Sequence, residues 1–238
     1  MRPSHNASEQ SWCALYRAGA VSAGVAVVLY VAALALFTLT PAPPESGGRA
    51  MLEYVDAHRA SYILRQLLWL TPSLFLMVVF LALAVAVRRH GQGLAAVAAV
   101  IAVMSWAVSF AWPTTGDGSL AMVVLSDRYA EAATESEQAP FVAGAEILDA
   151  LNGVPAVIGV LQTVGLLLVS LLMLRGTFPK PLAWLGVATG VVGIAAEVLR
   201  PVLGWGYATY GLLLFVWLAW VAVALWRLAA SSHLRNPS

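Results

Sequence analysis

The sequence predicts an all-α, polytopic membrane bundle of six spans, and three observations carry that prediction. Apolar residues fill 61% of the 238 positions and charged residues only 11%, against about half and about a quarter in a soluble domain. The mean hydropathy is +0.81. The apolar residues are gathered into runs of roughly twenty, the length that crosses a bilayer as a helix. Six such runs and their turns use nearly the whole chain, so it reads as a single membrane domain over 1–238 with no large soluble domain beside the spans.

The first run covers Ala18 to Leu39 and follows Arg2 and Arg17. A secretory signal has an apolar stretch of about 7–15 residues; this run is longer and reads as an anchor that stays in the membrane. Pro41, Pro43 and Pro44 stop the helix, and a polar loop is expected to about Ala60. The second span is expected over 61–87, with a kink at Pro72, where the ring removes a backbone donor. Gly91 and Gly93 then make a tight turn into the third span, 94–112, closed by Pro113.

Residues 114–153 form the longest connection. An Asp117-Gly118 pair marks a turn, and Leu120 to Ala133 can form a short helix that the polar run Thr134 to Gln138 breaks. Phe141, Ala145, Leu148 and Leu151 share one helical face, with Glu146 and Asp149 off it. Too short to span, this segment is expected to lie as an interfacial helix on the outer membrane surface. Gly153 and Pro155 separate it from the fourth span, 156–174. The fifth span covers 182–200 and the sixth 207–226. No convincing internal repeat is visible.

Basic residues orient the chain. With six spans and both termini cytoplasmic, Arg2, Arg17, Arg88, Arg89, Arg175, Lys180, Arg227 and Arg235 fall inside. Arg49, Arg59, Arg65, Arg128 and Arg200 fall outside, an eight-to-five split that obeys the positive-inside rule. Of the twelve acids only Glu9 falls inside. Trp12, Trp184 and Trp226 then lie near the inner interface, and Trp112 and Trp205 near the outer one. The excess of Arg over Lys, twelve to one, fits a GC-rich bacterial genome and hence a bacterial plasma membrane.

The fifth span carries the most informative pattern. Gly186, Gly190, Gly193, Glu197 and Arg200 are spaced by 4, 3, 4 and 3, which places all five on one helical face. Three positions without side chains let a neighbouring backbone approach, the usual way helices associate in lipid. Glu197 is the only acid of the chain inside an apolar run. At about 1.5 Å per residue it lies roughly 26 Å beyond Lys180, with Arg200 at roughly 30 Å, near the outer edge of the bilayer. An interfacial ion pair is the ordinary reading of such a shallow pair. A site marked by a membrane-embedded acid is the functional one.

Arg65 and Gln66, at the outer end of the second span, together with Asp149 and Asn152 above the fourth, are the other candidates for an outward-facing polar cluster. Gln162 is the one strongly polar residue near the midplane, where bonding between helices is its ordinary task and ligand contact the alternative.

Several chemistries are excluded. The net charge of +1 gives no basic face for a nucleic acid. His5, His58, His90 and His233 all lie outside the spans, so no histidine pair holds a haem, and one cysteine, Cys13, forms neither a disulfide framework nor a zinc cluster. No phosphate-binding G-x-x-x-x-G-K-[ST] loop, H-E-x-x-H motif or G-x-S-x-G elbow occurs. No cofactor and no metal are expected.

The segment Phe178-Pro179-Lys180-Pro181-Leu182-Ala183-Trp184-Leu185-Gly186, with its Pro-x-x-Leu-x-Trp-x-Gly turn, resembles uncharacterised six-span bacterial integral membrane proteins grouped only as a domain of unknown function; the Val216-Trp217-Leu218 stretch is similar to theirs as well. The resemblance implies a six-helix bundle in the bacterial plasma membrane and carries no activity. The function expected from the residues is therefore a non-enzymatic accessory, binding or immunity-type membrane protein. An enzyme acting on a lipophilic substrate, with Glu197 as acid or base, is the first alternative, and a small transporter with Gln162 and Glu197 on its path the second. The expected partners are the lipid bilayer and either a lipophilic small molecule or another membrane protein.

Overall fold

The structure, a computed structural model, describes residues 5–44, 46–112, 114–115, 118–153 and 157–234. Arg2, Pro113, Asp117, Pro155, Ala156 and Arg235, each given a role above, lie outside the described residues, as do the side chains of His5, Glu9, Asn152, Trp205 and His233. The fold is all-α: α1 (His5–Leu39), α2 (Gly48–Ala57), α3 (Arg59–Leu70), α4 (Pro72–Val87), α5 (Gln92–Ala111), α6 (Ala121–Glu131), α7 (Glu135–Gly153), α8 (Val157–Met173), α9 (Lys180–Val198), α10 (Arg200–Leu203) and α11 (Ala208–Leu234). A two-stranded antiparallel ribbon, β1 (Thr114–Thr115) and β2 (Gly118–Ser119), lies between α5 and α6.

Among the described residues five helical stretches are long and apolar enough to cross a membrane: Trp12–Leu39, Arg59–His90, Gln92–Ala111, Lys180–Val198 and Ala208–Ser231. Helix α8 is apolar but shorter, at 17 residues. Within Arg59–His90 the helix is interrupted at Thr71, next to the proline that prompted the expected kink; Thr71 itself keeps helical angles (φ −58°, ψ −36°).

Two compact units build the chain. One comprises residues 1–28, 72–108 and 155–238; the other comprises 29–71 and 109–154. In the first, α8 and α9 pack against each other, α11 packs on α9, and α4 packs on α8. Small residues set these approaches. A Cβ added to Gly19 of α1 would stand 2.5 Å from Cβ of Ala82 on α4, and one on Gly165 of α8 would stand 2.9 Å from Cα of Ala102 on α5. Trp217, Leu166, Leu172 and Leu182 are fully buried here, and the Trp217 ring stacks near Phe80 at 6.1 Å.

The second unit corrects the reading of residues 40–60 as a loop, and has α6 and α7 where helices over 120–133 and 141–151 were expected. Residues 48–57 are helical because Met51, Leu52 and Val55 form an apolar face. That face meets Met122, Val123 and Tyr129 of α6, Ala145 of α7 and Tyr62 of α3 in one hydrophobic core. Phe141, Val142 and Leu148 of α7 pack against the same core. The face expected to lie on the membrane is thus largely occupied by protein; Leu151, at its end, remains 51% exposed.

The helix expected over 120–133 does end before the polar run 134–138, with α6 stopping at Glu131, and the run also caps α7. Glu137 N donates to Thr134 Oγ1 at 3.3 Å, and the Glu137 carboxylate accepts from Ala133 N at 2.9 Å and Thr134 N at 3.1 Å, a reciprocal Thr-x-x-Glu cap. Ser126 Oγ donates to Leu52 O at 2.7 Å, tying α6 to α2. Arg59 forms a two-point pair with Asp127, and Arg49 pairs with Glu135 at 3.8 Å, on the exterior of this unit.

Candidate functional site

The α8–α9 seam is antiparallel and held in strict register. Cβ atoms added along α9 would meet α8 in reverse order: Gly186 faces Ser170, Gly190 faces Leu167 and Gly193 faces Thr163. The closest approach to backbone is at Gly190, where the added atom would stand 2.8 Å from Leu167 Cβ and 3.0 Å from its Cα. At the next step the relation inverts. The glycine is Gly159, on α8, and the α9 residue facing it is Glu197, whose two carboxylate oxygens both lie 2.6 Å from where a Gly159 Cβ would be.

The backbone explains why Glu197 is held there. Helix α9 ends at Val198, because Pro201 has no N–H to offer the carbonyl four residues back. The short helix α10 follows, and Gly204, at φ +46°, turns the chain. This return brings Tyr207 to the end of α9. Tyr207 Oη donates to Glu197 Oε1 at 2.5 Å, and Arg200 Nη2 donates to Tyr207 Oη at 3.0 Å. The same guanidinium nitrogen stands 3.5 Å from Glu197 Oε2 and the group lies over the Tyr207 ring at 4.9 Å. Tyr210 closes the cluster edge-on to Tyr207 at 6.0 Å. The Glu197 side chain is 4% exposed and that of Arg200 23%.

Chemically this is a buried carboxylate hydrogen-bonded at one oxygen; Oε2 has no hydrogen-bond partner among the described residues and meets only the guanidinium charge. Oε1 receives a short phenolic hydrogen bond, Oε2 faces the guanidinium, and Gly159 leaves just enough room for the group. Ionised carboxylates only accept, and short O–H···O⁻ bonds are the strong kind. The arrangement ties α8, the end of α9, α10 and the start of α11 together.

The other sequence candidates are placed elsewhere. Arg65 and Gln66 belong to the second unit, whereas Glu197 and Arg200 belong to the first. Arg65 is buried, with the Phe37 ring at 5.6 Å and the Tyr62 ring at 5.9 Å. Gln66, also buried, accepts at Oε1 from Thr115 Oγ1 at 2.7 Å; its Nε2 has no hydrogen-bond partner among the described residues. Tyr62 Oη binds both backbone groups of Ser119, donating to O at 2.9 Å and accepting from N at 3.0 Å. These contacts pin the β1–β2 ribbon onto α3.

Asp149 is exposed on α7. Gln162 is half-buried on α8 and makes no side-chain hydrogen bond among the described residues, so the bond expected of it between helices is not formed there; its neighbour Thr163 faces α9 instead. The side chain of Asn152 lies outside the described residues. Among the described residues no group of three His, Cys, Asp or Glu is placed to hold a metal ion.

Sequence reasoning missed Tyr207 and Gly159. The signal for the first is a tyrosine in the Gly204-Trp205-Gly206-Tyr207 turn, just past the end of the span that carries the acid. Gly159 carries a weaker one, a glycine in the first turn of the neighbouring helix. No protein-family model, curated protein or solved structure matches this chain.

Proposed function

We propose that this chain is a six-span protein of a bacterial plasma membrane, with both termini cytoplasmic, that acts by binding rather than by catalysis, as an accessory or immunity-type protein. The sixth crossing is α8, which is apolar, and its packing against α9 compensates for its shortness. The eight-to-five split of basic residues supports the orientation. On this reading α2, α6 and α7 form an extracytoplasmic helical unit that presents the binding surface, and the membrane helices hold it.

The observation that carries the proposal is the hydrophobic core that two connections more than sixty residues apart in sequence build together, closed by Tyr62 near the start of α3. Connections with no task beyond joining spans need no shared core. The enclosure of Glu197 by Tyr207, Arg200 and Gly159 supports the non-enzymatic reading, since a general acid or base needs an oxygen within reach of its substrate.

Two variant sets test it against the phenotype of a deletion strain. Val124→Glu with Ile147→Glu alters residues 61% and 62% exposed on α6 and α7; it should abolish complementation at unchanged protein level. Glu197→Gln should complement wherever the protein accumulates. The opposite pattern, loss with Glu197→Gln and full activity of the exposed-face variant, would overturn the binding role in favour of a site at Glu197. Single cysteines at Glu135 and Lys180 in a Cys13→Ser background test the orientation: an impermeant thiol reagent should label position 135 and spare position 180 in whole cells.

A further inference from the structure

Two short turns at one end of the first unit are joined in a way their sequences do not require. The turn Arg88–His90 follows α4, and residues 174–179 connect α8 to α9. Arg175 Nη1 donates to His90 O at 2.8 Å, the His90 ring meets Thr177 Oγ1 at 2.9 Å, and Thr177 Oγ1 reaches Ala86 O at 3.3 Å. The joined turns gather Arg88, Arg89, Arg175 and Lys180; the last three are exposed. Arg88 lies over the Trp12 ring of α1 at 4.3 Å. Neither turn contains an acid, nor do α4, α5 and α8.

From Lys180 a single exposed face descends α9. Trp184 is 60% exposed and Val191 54%, with Ala188 exposed between them. They stand roughly 6 and 16 Å along the axis from Lys180. Cation, indole and aliphatic surface thus follow one another in the order phosphate, glycerol and acyl chain. The opposite face is the glycine seam.

We propose that the joined turns bind the phosphate headgroup of an anionic glycerophospholipid, with its acyl chain along the Trp184 face of α9. Basic pockets between membrane helices suit such headgroups, and the ordered face below Lys180 suits a lipid better than a free phosphate. The inference rests on the membrane-spanning reading but not on which side the turns face. Its test is therefore made in detergent, independent of the labelling that tests orientation.

The full chain in a neutral detergent is titrated with dioleoyl phosphatidylglycerol, dioleoyl phosphatidylcholine and the deacylated headgroup glycerophosphoglycerol. Bound lipid is counted by native mass spectrometry, and the melting temperature is followed in parallel. Phosphatidylglycerol should be retained and raise the melting temperature; the other two should do neither. Each lost cation should weaken retention roughly fivefold, so Lys180→Gln and the double variant with Arg175→Gln form a graded series. Arg175→Lys should recover most of what Arg175→Gln loses. If the Arg175 variants do not fold, Lys180→Gln, which leaves the join between the turns intact, gives the same reading. Equal retention of the two phospholipids, or retention unchanged in Lys180→Gln, would overturn the site. Competition by glycerophosphoglycerol at the concentration of the lipid would overturn the lipid assignment in favour of a soluble phosphate.

Discussion

The two units of this chain solve the same packing problem with opposite residues. In the first, α8 and α9 meet through Gly186, Gly190, Gly193 and Gly159, with backbone against backbone at Gly190 and a facing side chain filling the space at the others. In the second, α2, α6 and α7 meet through Met51, Leu52, Met122 and Tyr129, around a core of large side chains with ion pairs outside. The contrast follows from the solvent each packing suits. Water drives apolar side chains together at about 25 cal/mol per Å², so bulk is what stabilises a helical cluster there. Lipid offers no such drive, and close contact between backbones takes its place. Glycines at helical spacing between α8 and α9 are the packing that suits lipid, and bulky apolar faces among α2, α6 and α7 the packing that suits water.

The comparison can be broken most sharply at the core of the second unit. Leu52 is fully buried, and Leu52→Ala should cost about 3 kcal/mol through lost burial and the cavity left behind. Val191→Ala, on the exposed face of α9, should change thermal melting in detergent hardly at all. Similar losses from the two truncations would mean that α9 hides that face and that the contrast is misdrawn.

Enlarging the seam comes next. Gly190→Leu forces a side chain into the Leu167 backbone and should cost about 2–3 kcal/mol. Ala195→Leu, at an exposed position of the same helix, should be nearly silent. Matched melting temperatures for these two would show that the glycines do not set the approach.

Tyr207→Phe removes a single oxygen but two hydrogen bonds to charged groups, and a loss of about 1.5–3 kcal/mol is expected. Exchanging charges, Glu197→Arg with Arg200→Glu, should recover at most about 1 kcal/mol of what the single changes lose, because the direct ion pair is the looser contact at 3.5 Å. Full recovery by the exchange would make the ion pair, not the tyrosine, the principal tie.

The smallest effect belongs to the surface of the second unit. Its hydrogen bond to Arg59 holds the Asp127 carboxyl below the usual carboxylate range. A lowered folded-state pKa stabilises the fold at pH values above the unfolded pKa, and that contribution disappears as pH falls through the folded value. Melting temperatures measured from pH 6 down to pH 2 should therefore fall slightly less in Asp127→Asn than in the parent. Identical acid profiles would mean that this exposed pair adds nothing.

Much of the first unit was legible because its signal is local. The 4, 3, 4, 3 spacing along α9 lies within one helix and needs no partner to be seen. Its complement on α8 was not legible, since Gly159 acquires meaning only from the carboxylate across the seam. Tyr207 was hidden by the same logic: its role depends on a reversal that Gly204 permits and no periodicity announces. The helix α2 was misread as part of a loop because it is short, and the core it shares with α6 and α7 was not foreseen. The faces Met51–Leu52–Val55 and Met122–Val123–Tyr129 are stable only against each other, across about seventy residues of sequence. One part was nonetheless written locally and overlooked, the Thr134-x-x-Glu137 signature that starts α7.

The reversed register of α8 and α9 also determines which changes of length the chain can survive. One residue added just after Gly186 would rotate everything beyond it by about 100°. Thr189 and Val192 would then stand where Gly190 and Gly193 had been, and Glu197 would leave its place opposite Gly159. Seven added residues, close to two full turns, would return a similar face to the seam but carry the acid past its glycine. Drift in this stretch is thus confined to exchange of one residue for another, and the turn to α8, tied through Arg175 and Thr177 to His90 and Ala86, shares that constraint.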